Sequence, residues 1–119
     1  AMGPNFIQLT GEDNNALEFN RRGGTGCISV TANVAAKLCS EFQSALLKKD
    51  KDSLKRAENI NSILTPLHNA LFVESNPSPV KYAASLLNLS SANVRLPLVE
   101  ITDKTKKTVE SALQFGKLL

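Results

Sequence analysis

Gly23-Gly24-Thr25-Gly26-Cys27-Ile28-Ser29-Val30-Thr31-Ala32-Asn33-Val34 carries three structural signals in succession. The paired glycines supply a left-handed exit from a helix. The run from Gly26 to Val30 is a short apolar segment suited to a buried strand. From Asn33 the period changes: Val34, Ala35, Leu38, Cys39, Phe42, Ala45 and Leu46 recur at the three-and-four spacing of one helix face, with Lys37, Glu41 and Lys48 on the other. The spacing predicts a helix over residues 33 to 49. Toward the N-terminus, Phe6-Ile7-Gln8-Leu9-Thr10 is another strand candidate. Gly11-Glu12-Asp13-Asn14 then reads as a turn whose Asp13 or Asn14 caps a helix through Ala16, Leu17 and Phe19, ending at Gly23-Gly24.

Beyond residue 49 only helices are predicted. Asp52 is the expected cap of one whose stripe is Leu54, Ala57, Ile60, Leu64, Leu67 and Leu71, and Pro66 inside it is expected to kink or split it. Asn76-Pro77-Ser78-Pro79 forces extended backbone and then a helix start, with Ser78 as cap, Pro79 in the first turn, and Val80, Ala83, Ala84 and Leu87 facing inward. Ser90 to Pro97 reads as an irregular connection, after which Thr102 caps a last helix through Val109, Ala112 and Leu113. Ala1-Met2-Gly3-Pro4 carries no pattern and reads as a cloning remnant. Strand, helix, strand, helix is the repeat of an α/β protein with parallel strands, which need cover on both faces. A closed barrel of eight such units takes ~250 residues, so this mostly helical segment reads as the tail of something larger.

With 119 residues, 42% of them hydrophobic and 21% charged, the composition is that of one folded domain. A formal charge of +3 hints at an anionic partner, but the basic runs at Arg21-Arg22, at residues 48 to 56 and at residues 104 to 107 are interleaved with acids and lack aromatic residues for stacking on bases. Solvated helix faces are expected, and no nucleic-acid partner. No apolar run is long enough to cross a bilayer and no leader pattern opens the chain, so no membrane association and a cytoplasmic setting are expected. Cys27 and Cys39 form neither a CxxC pair nor, with the single histidine, a zinc set, and read as free thiols. His68 reads as a structural side chain, and no metal or cofactor is expected.

Leu9-Thr10-Gly11-Glu12-Asp13, the stretch from Gly23 to Val34, Pro66-Leu67-His68-Asn69-Ala70-Leu71-Phe72-Val73-Glu74, Asn76-Pro77-Ser78-Pro79-Val80-Lys81 and Arg95-Leu96-Pro97-Leu98 occur in one order, and together the chain resembles the dihydrodipicolinate synthase (4-hydroxy-tetrahydrodipicolinate synthase) family from residue 6 to residue 119. Asn20-Arg21-Arg22 and Ser78 are more polar than that resemblance leads one to expect. The resemblance implies a (β/α)₈ TIM barrel with a C-terminal helical extension. Residues 5–50 would then be the last two strand-helix units and residues 51–119 the extension. It also implies condensation of pyruvate with aspartate semialdehyde, in lysine and diaminopimelate biosynthesis, through a Schiff base on a lysine of the sixth strand.

That strand, by the resemblance, precedes residue 5, and none of the ten lysines here falls within either strand candidate. Lys81 reads as a helix-surface or salt-bridge residue. A Schiff-base lysine needs an apolar pocket or a neighbouring cation to be partly neutral near pH 7. This chain is therefore expected to be a C-terminal fragment, inactive alone, with no catalytic residue of its own. What remains of a barrel site is backbone at the C-terminal ends of the strands. The resemblance implies that the Ile28 main-chain carbonyl faces pyruvate and that Gly11 lies at the pocket rim; read without it, Ile28 is a barrel-core side chain. A homo-oligomer is expected, because open strand edges invite pairing. A non-catalytic helical self-association module derived from the family is the alternative.

Overall fold

The computed structural model describes residues 2–119. Two short strands, β1 (Leu9–Thr10) and β2 (Gly26–Cys27), lie side by side and parallel, with Leu9 opposite Gly26 and Thr10 opposite Cys27. The bonds Thr25 N–H to the Gln8 carbonyl (2.9 Å) and Ile28 N–H to the Thr10 carbonyl (2.8 Å) extend the pairing at both ends. Both strands are shorter than predicted. Among the described residues, residues 6 to 8 have no strand to pair with on their other side, and Ser29 and Val30 bond to the Asp13 carboxylate instead of extending the ladder.

After β1 a single 3₁₀ turn (Asp13–Asn15) leads into α1 (Ala16–Arg21). Glu12 caps that turn, its carboxylate accepting from the Asn14 N–H, in place of the expected Asp13 or Asn14. Gly23 leaves the helix with φ +109°, and a Cβ on Gly24 would stand 2.2 Å from the Phe19 ring, so only glycine lets that ring lie over the exit. The polar end of α1 is seated by its own partners: Asn20 is buried and donates to Gln43 Oε1 at 2.8 Å, Arg21 pairs with Glu58, and Arg22 Nε pairs with Glu18 at 2.7 Å.

A second 3₁₀ turn (Thr31–Asn33) precedes α2 (Ala36–Lys48), which starts three residues later than the periodicity suggests. Helix α2 turns at Lys49, in the left-handed region, into α3 (Lys51–Ala70), and these two helices form the largest contact of the molecule. Asp50 caps α3 in place of Asp52, accepting from the Ser53 N–H at 2.8 Å and its hydroxyl at 2.7 Å. Pro66 does not split α3. Leu64, Leu67 and Ala70, each 1% exposed, hold both flanks in the core, where burying each leucine stabilises by roughly 1.5–3 kcal/mol and outweighs one missing backbone bond.

Helix α4 (Ser78–Leu86) begins one residue earlier than predicted: Pro77 is the cap position, its carbonyl accepting from the Lys81 N–H at 3.0 Å, and Ser78 lies inside the first turn, buried. Helix α5 (Asp103–Phe115) is capped by Thr102, as expected, with Val109, Ala112 and Leu113 inward. It packs on α3 and α4, closing a core that runs from Ala16 through Phe42 and Leu64 to Leu113.

Candidate binding rim

Because β1 and β2 are parallel, their C-terminal ends open onto one edge, and the backbone there belongs to Thr10, Gly11 and Ile28. Gly11 is exposed with nothing within 4 Å of its Cβ direction. The Ile28 side chain is 72% exposed, so within this chain it is not a core residue. Its N–H is held by Thr10, and among the described residues no donor reaches its carbonyl.

Beneath the rim sits a buried carboxylate. Asp13, 5% exposed, accepts from Ser29 Oγ at 2.5 Å, from the Val30 N–H at 2.9 Å and from the Thr31 N–H at 3.2 Å, with Cys27 Sγ at 3.8 Å. No cation pairs with it among the described residues; donors at the start of the second 3₁₀ turn take that place. Thr31, fully buried, continues the chain of bonds through its hydroxyl to His68 Nδ1 at 2.6 Å, tying the rim to α3. Asn14 Nδ2 to Asn69 Oδ1, at 3.1 Å, makes a second tie to the same helix. On the other strand the Thr10 hydroxyl donates to Asn15 Oδ1 at 2.7 Å and accepts from the Glu12 N–H at 3.1 Å.

A cavity of about 250 Å³ adjoins this cluster, walled by Asp13, Cys27, Ser29, Cys39, Gln43 and His68 among others. Its titratable groups are unsuited to nucleophilic chemistry. Burial first, then the Asp13 charge, pushes the Cys27 thiol up to about 12, and burial with the same charge pushes Cys39 up to about 11, so both are protonated near neutrality. Burial lowers His68 below the ordinary histidine value against the pull of Asp13 and Glu12, leaving a neutral ring. Thr31 beside it is sealed from solvent and cannot reach a substrate. The cysteines are free, and among the described residues no three metal-ligating side chains converge. The free cysteines agree with the expectation of unpaired thiols.

No lysine lies on β1 or β2, and Lys81 stands half-buried in α4. No helix among the described residues is long and apolar enough to cross a membrane. Sequence reasoning missed the role of Asp13. An aspartate just before a helix carries the same signal whether it caps that helix or reaches across to a loop far along the chain, and only Thr10 and Asn15 hint that the turn is built for more than capping.

The Dihydrodipicolinate synthetase family model matches residues 1–115. A 4-hydroxy-tetrahydrodipicolinate synthase of Pelagibacter ubique is 58% identical over 118 residues, which are 99% of this chain and 40% of that protein. The dihydrodipicolinate synthase structure from Thermotoga maritima superposes with a TM-score of 0.90 at 35% identity, covering 96% of this chain and 38% of that one. The chloride-inhibited Acinetobacter baumannii enzyme complexed with pyruvate gives 0.88 at 35% identity, covering 96% and 38%. The chain thus spans about 40% of the length of the curated relatives it matches. A family model running over nearly every residue, together with solved folds that overlay both the strand pair and the helices, shows that this chain belongs to the dihydrodipicolinate synthetase family.

Proposed function

We propose that this chain is the C-terminal portion of a 4-hydroxy-tetrahydrodipicolinate synthase, and that its contribution to catalysis is a wall of the keto-acid pocket. Residues 5–50 would supply the last two strand-helix units of the barrel, and residues 51–119 the helical extension. The whole enzyme condenses pyruvate with aspartate semialdehyde through a lysine Schiff base, in the cytoplasm, as a homo-oligomer. In this reading the Ile28 carbonyl and Gly11 line the pocket, and the lysine comes from a strand outside these residues.

One observation carries the reading: the strand ends of a parallel pair present Gly11 and an undonated Ile28 carbonyl on a common edge, in a fold that overlays synthase structures with a TM-score of 0.90. The rim's chemistry suits binding rather than bond-making. It offers backbone polar groups and apolar surface, with protonated thiols and a neutral imidazole behind. An amine able to form an iminium with pyruvate must be desolvated at the pocket, and no lysine here is buried or lies on β1 or β2.

Borohydride reduction in the presence of pyruvate tests this directly. The 119-residue chain is expected to remain unmodified by intact mass and to give no turnover with pyruvate and aspartate semialdehyde. A longer protein containing it is expected to gain one reduced pyruvyl adduct, on a lysine outside these residues. An adduct on any lysine of this chain would overturn the assignment.

A further inference from the structure

We propose that Asp13 is a positioning residue for keto-acid binding: by gripping the chain on both sides of Ile28 it sets where the Ile28 carbonyl points, and the Thr31–His68 hydrogen bond anchors that grip to α3. The proposal rests on the rim reading given above and adds to it the machinery behind the rim.

The geometry is unusually selective. Of the five consecutive residues 27 to 31, four place a donor on or near the Asp13 carboxylate: Cys27 Sγ at 3.8 Å, Ser29 Oγ at 2.5 Å, Val30 N at 2.9 Å and Thr31 N at 3.2 Å. The exception is Ile28, whose N–H goes the other way, to the Thr10 carbonyl at 2.8 Å. The peptide of Ile28 is therefore held between two fixed partners, β1 on one side and Asp13 on the other. Its side chain stands 72% exposed on the rim and its carbonyl is left without an internal donor among the described residues. Three donors converge on this one carboxyl group, so a single side chain orders the loop on either side of Ile28.

Two simpler roles for Asp13 fail on the same distances. It is not the cap of the turn it begins, because Glu12 accepts the Asn14 N–H instead. It is not a general base, because it is 5% exposed and its oxygens are already occupied by three donors within 3.2 Å. The grip is in turn fixed from behind. Thr31 gives its N–H to Asp13 and shares a hydrogen bond between its hydroxyl and His68 Nδ1, and His68 lies in the core of α3 at 2% exposure. Ser29 Oγ also accepts from the Ala32 N–H at 2.9 Å, so a single hydroxyl joins the loop to the start of the next turn.

The test uses the complete enzyme carrying this segment together with its Schiff-base lysine. Asp13→Asn keeps the shape but replaces one acceptor oxygen with a donor facing other donors. It is expected to lower kcat/KM for pyruvate between about tenfold and a hundredfold, the scale of small misplacements in a binding site, through KM for pyruvate with KM for the semialdehyde little changed. Thr31→Val is expected to act in the same direction and Thr31→Ser, which keeps the hydroxyl, to restore the wild-type value. A wild-type KM for pyruvate in Asp13→Asn, or equal rises for both substrates, would overturn the proposal. So would a Thr31→Ser variant as impaired as Thr31→Val, which also decides the matter should Asp13→Asn fold poorly. An inactive wild-type enzyme would count against the functional reading instead. In that case amide hydrogen exchange on the 119-residue chain still discriminates: Asp13→Asn is expected to accelerate exchange at Val30 and Thr31 selectively, and unchanged exchange there would overturn the positioning role.

Discussion

His68 shows how a single buried side chain couples the fold to pH. Its ring is 2% exposed, accepts or shares one hydrogen bond with Thr31, and prefers the neutral state because burial outweighs the nearby Asp13 and Glu12 charges. Its folded pKa therefore lies below that of the unfolded chain, and as pH falls through the unfolded value near 6.5 the unfolded state takes up a proton that the folded state refuses. Stability from this group is full above that pH and declines below it. The urea midpoint is expected to stay level between pH 8 and 7 and to drop toward pH 5. His68→Gln should flatten that drop, and an unchanged drop in the variant would assign it to other groups. Asp50 and Glu74, whose pKa values are lowered by hydrogen bonds from Ser53 and from Thr105 and Thr102, act in the carboxylate range and leave this window clear.

Helix ends were where periodicity and structure parted. Apolar spacing locates the inward faces of α2, α3, α4 and α5 correctly, since Phe42, Leu64, Ala83 and Leu113 are all buried as the stripes predict. Caps are chosen by finer contests. Asp50 and Asp52 are equally good cap residues by type, and Asp50 prevails because Lys49 turns the chain left-handed immediately before it. At α5 there is no such rival: the Thr102 hydroxyl accepts from the Thr105 N–H at 3.3 Å, while Glu74 in turn accepts from the Thr102 N–H at 3.0 Å and its hydroxyl at 3.1 Å. Thr102→Ala removes the cap and one of the bonds to Glu74, and is expected to cost about 1 kcal/mol of stability by urea titration, with Thr102→Ser close to wild type. Equal stability of the alanine variant would show that Glu74 alone organises the start of α5.

At the scale of the whole molecule the shape is a plate of 44 × 31 × 21 Å with a radius of gyration of 15.3 Å, against about 13.5 Å for a compact domain of this length. The two strands form a sheet of their own, β1 beside β2. Phe6, Ile7, Leu9 and Ile28 are all at least half exposed there, beside strands whose outer edges have no partner among the described residues. A sheet edge flanked by apolar side chains is a template for another chain. Light scattering on the 119-residue chain is expected to show mass rising with concentration, and Ile7→Lys, which places a charge on that edge, is expected to suppress the rise. A concentration-independent monomer mass for the unsubstituted chain would contradict this.

Sequence alone determined the family, the strand-helix-strand-helix order and the inward face of every long helix, because apolar periodicity and glycine punctuation are local properties that each segment carries within itself. Its ordered motifs also singled out Gly11 and Ile28, which the fold brings to one edge of the strand pair. Only the tertiary structure decided how short the strands are, which carboxylate caps each turn, and that Asp13 reaches across to residues 29 to 31 rather than serving its own helix. The reason is one of distance along the chain: a buried carboxylate must find donors wherever packing supplies them, and here they lie 16 to 18 residues away, beyond the range of any local pattern.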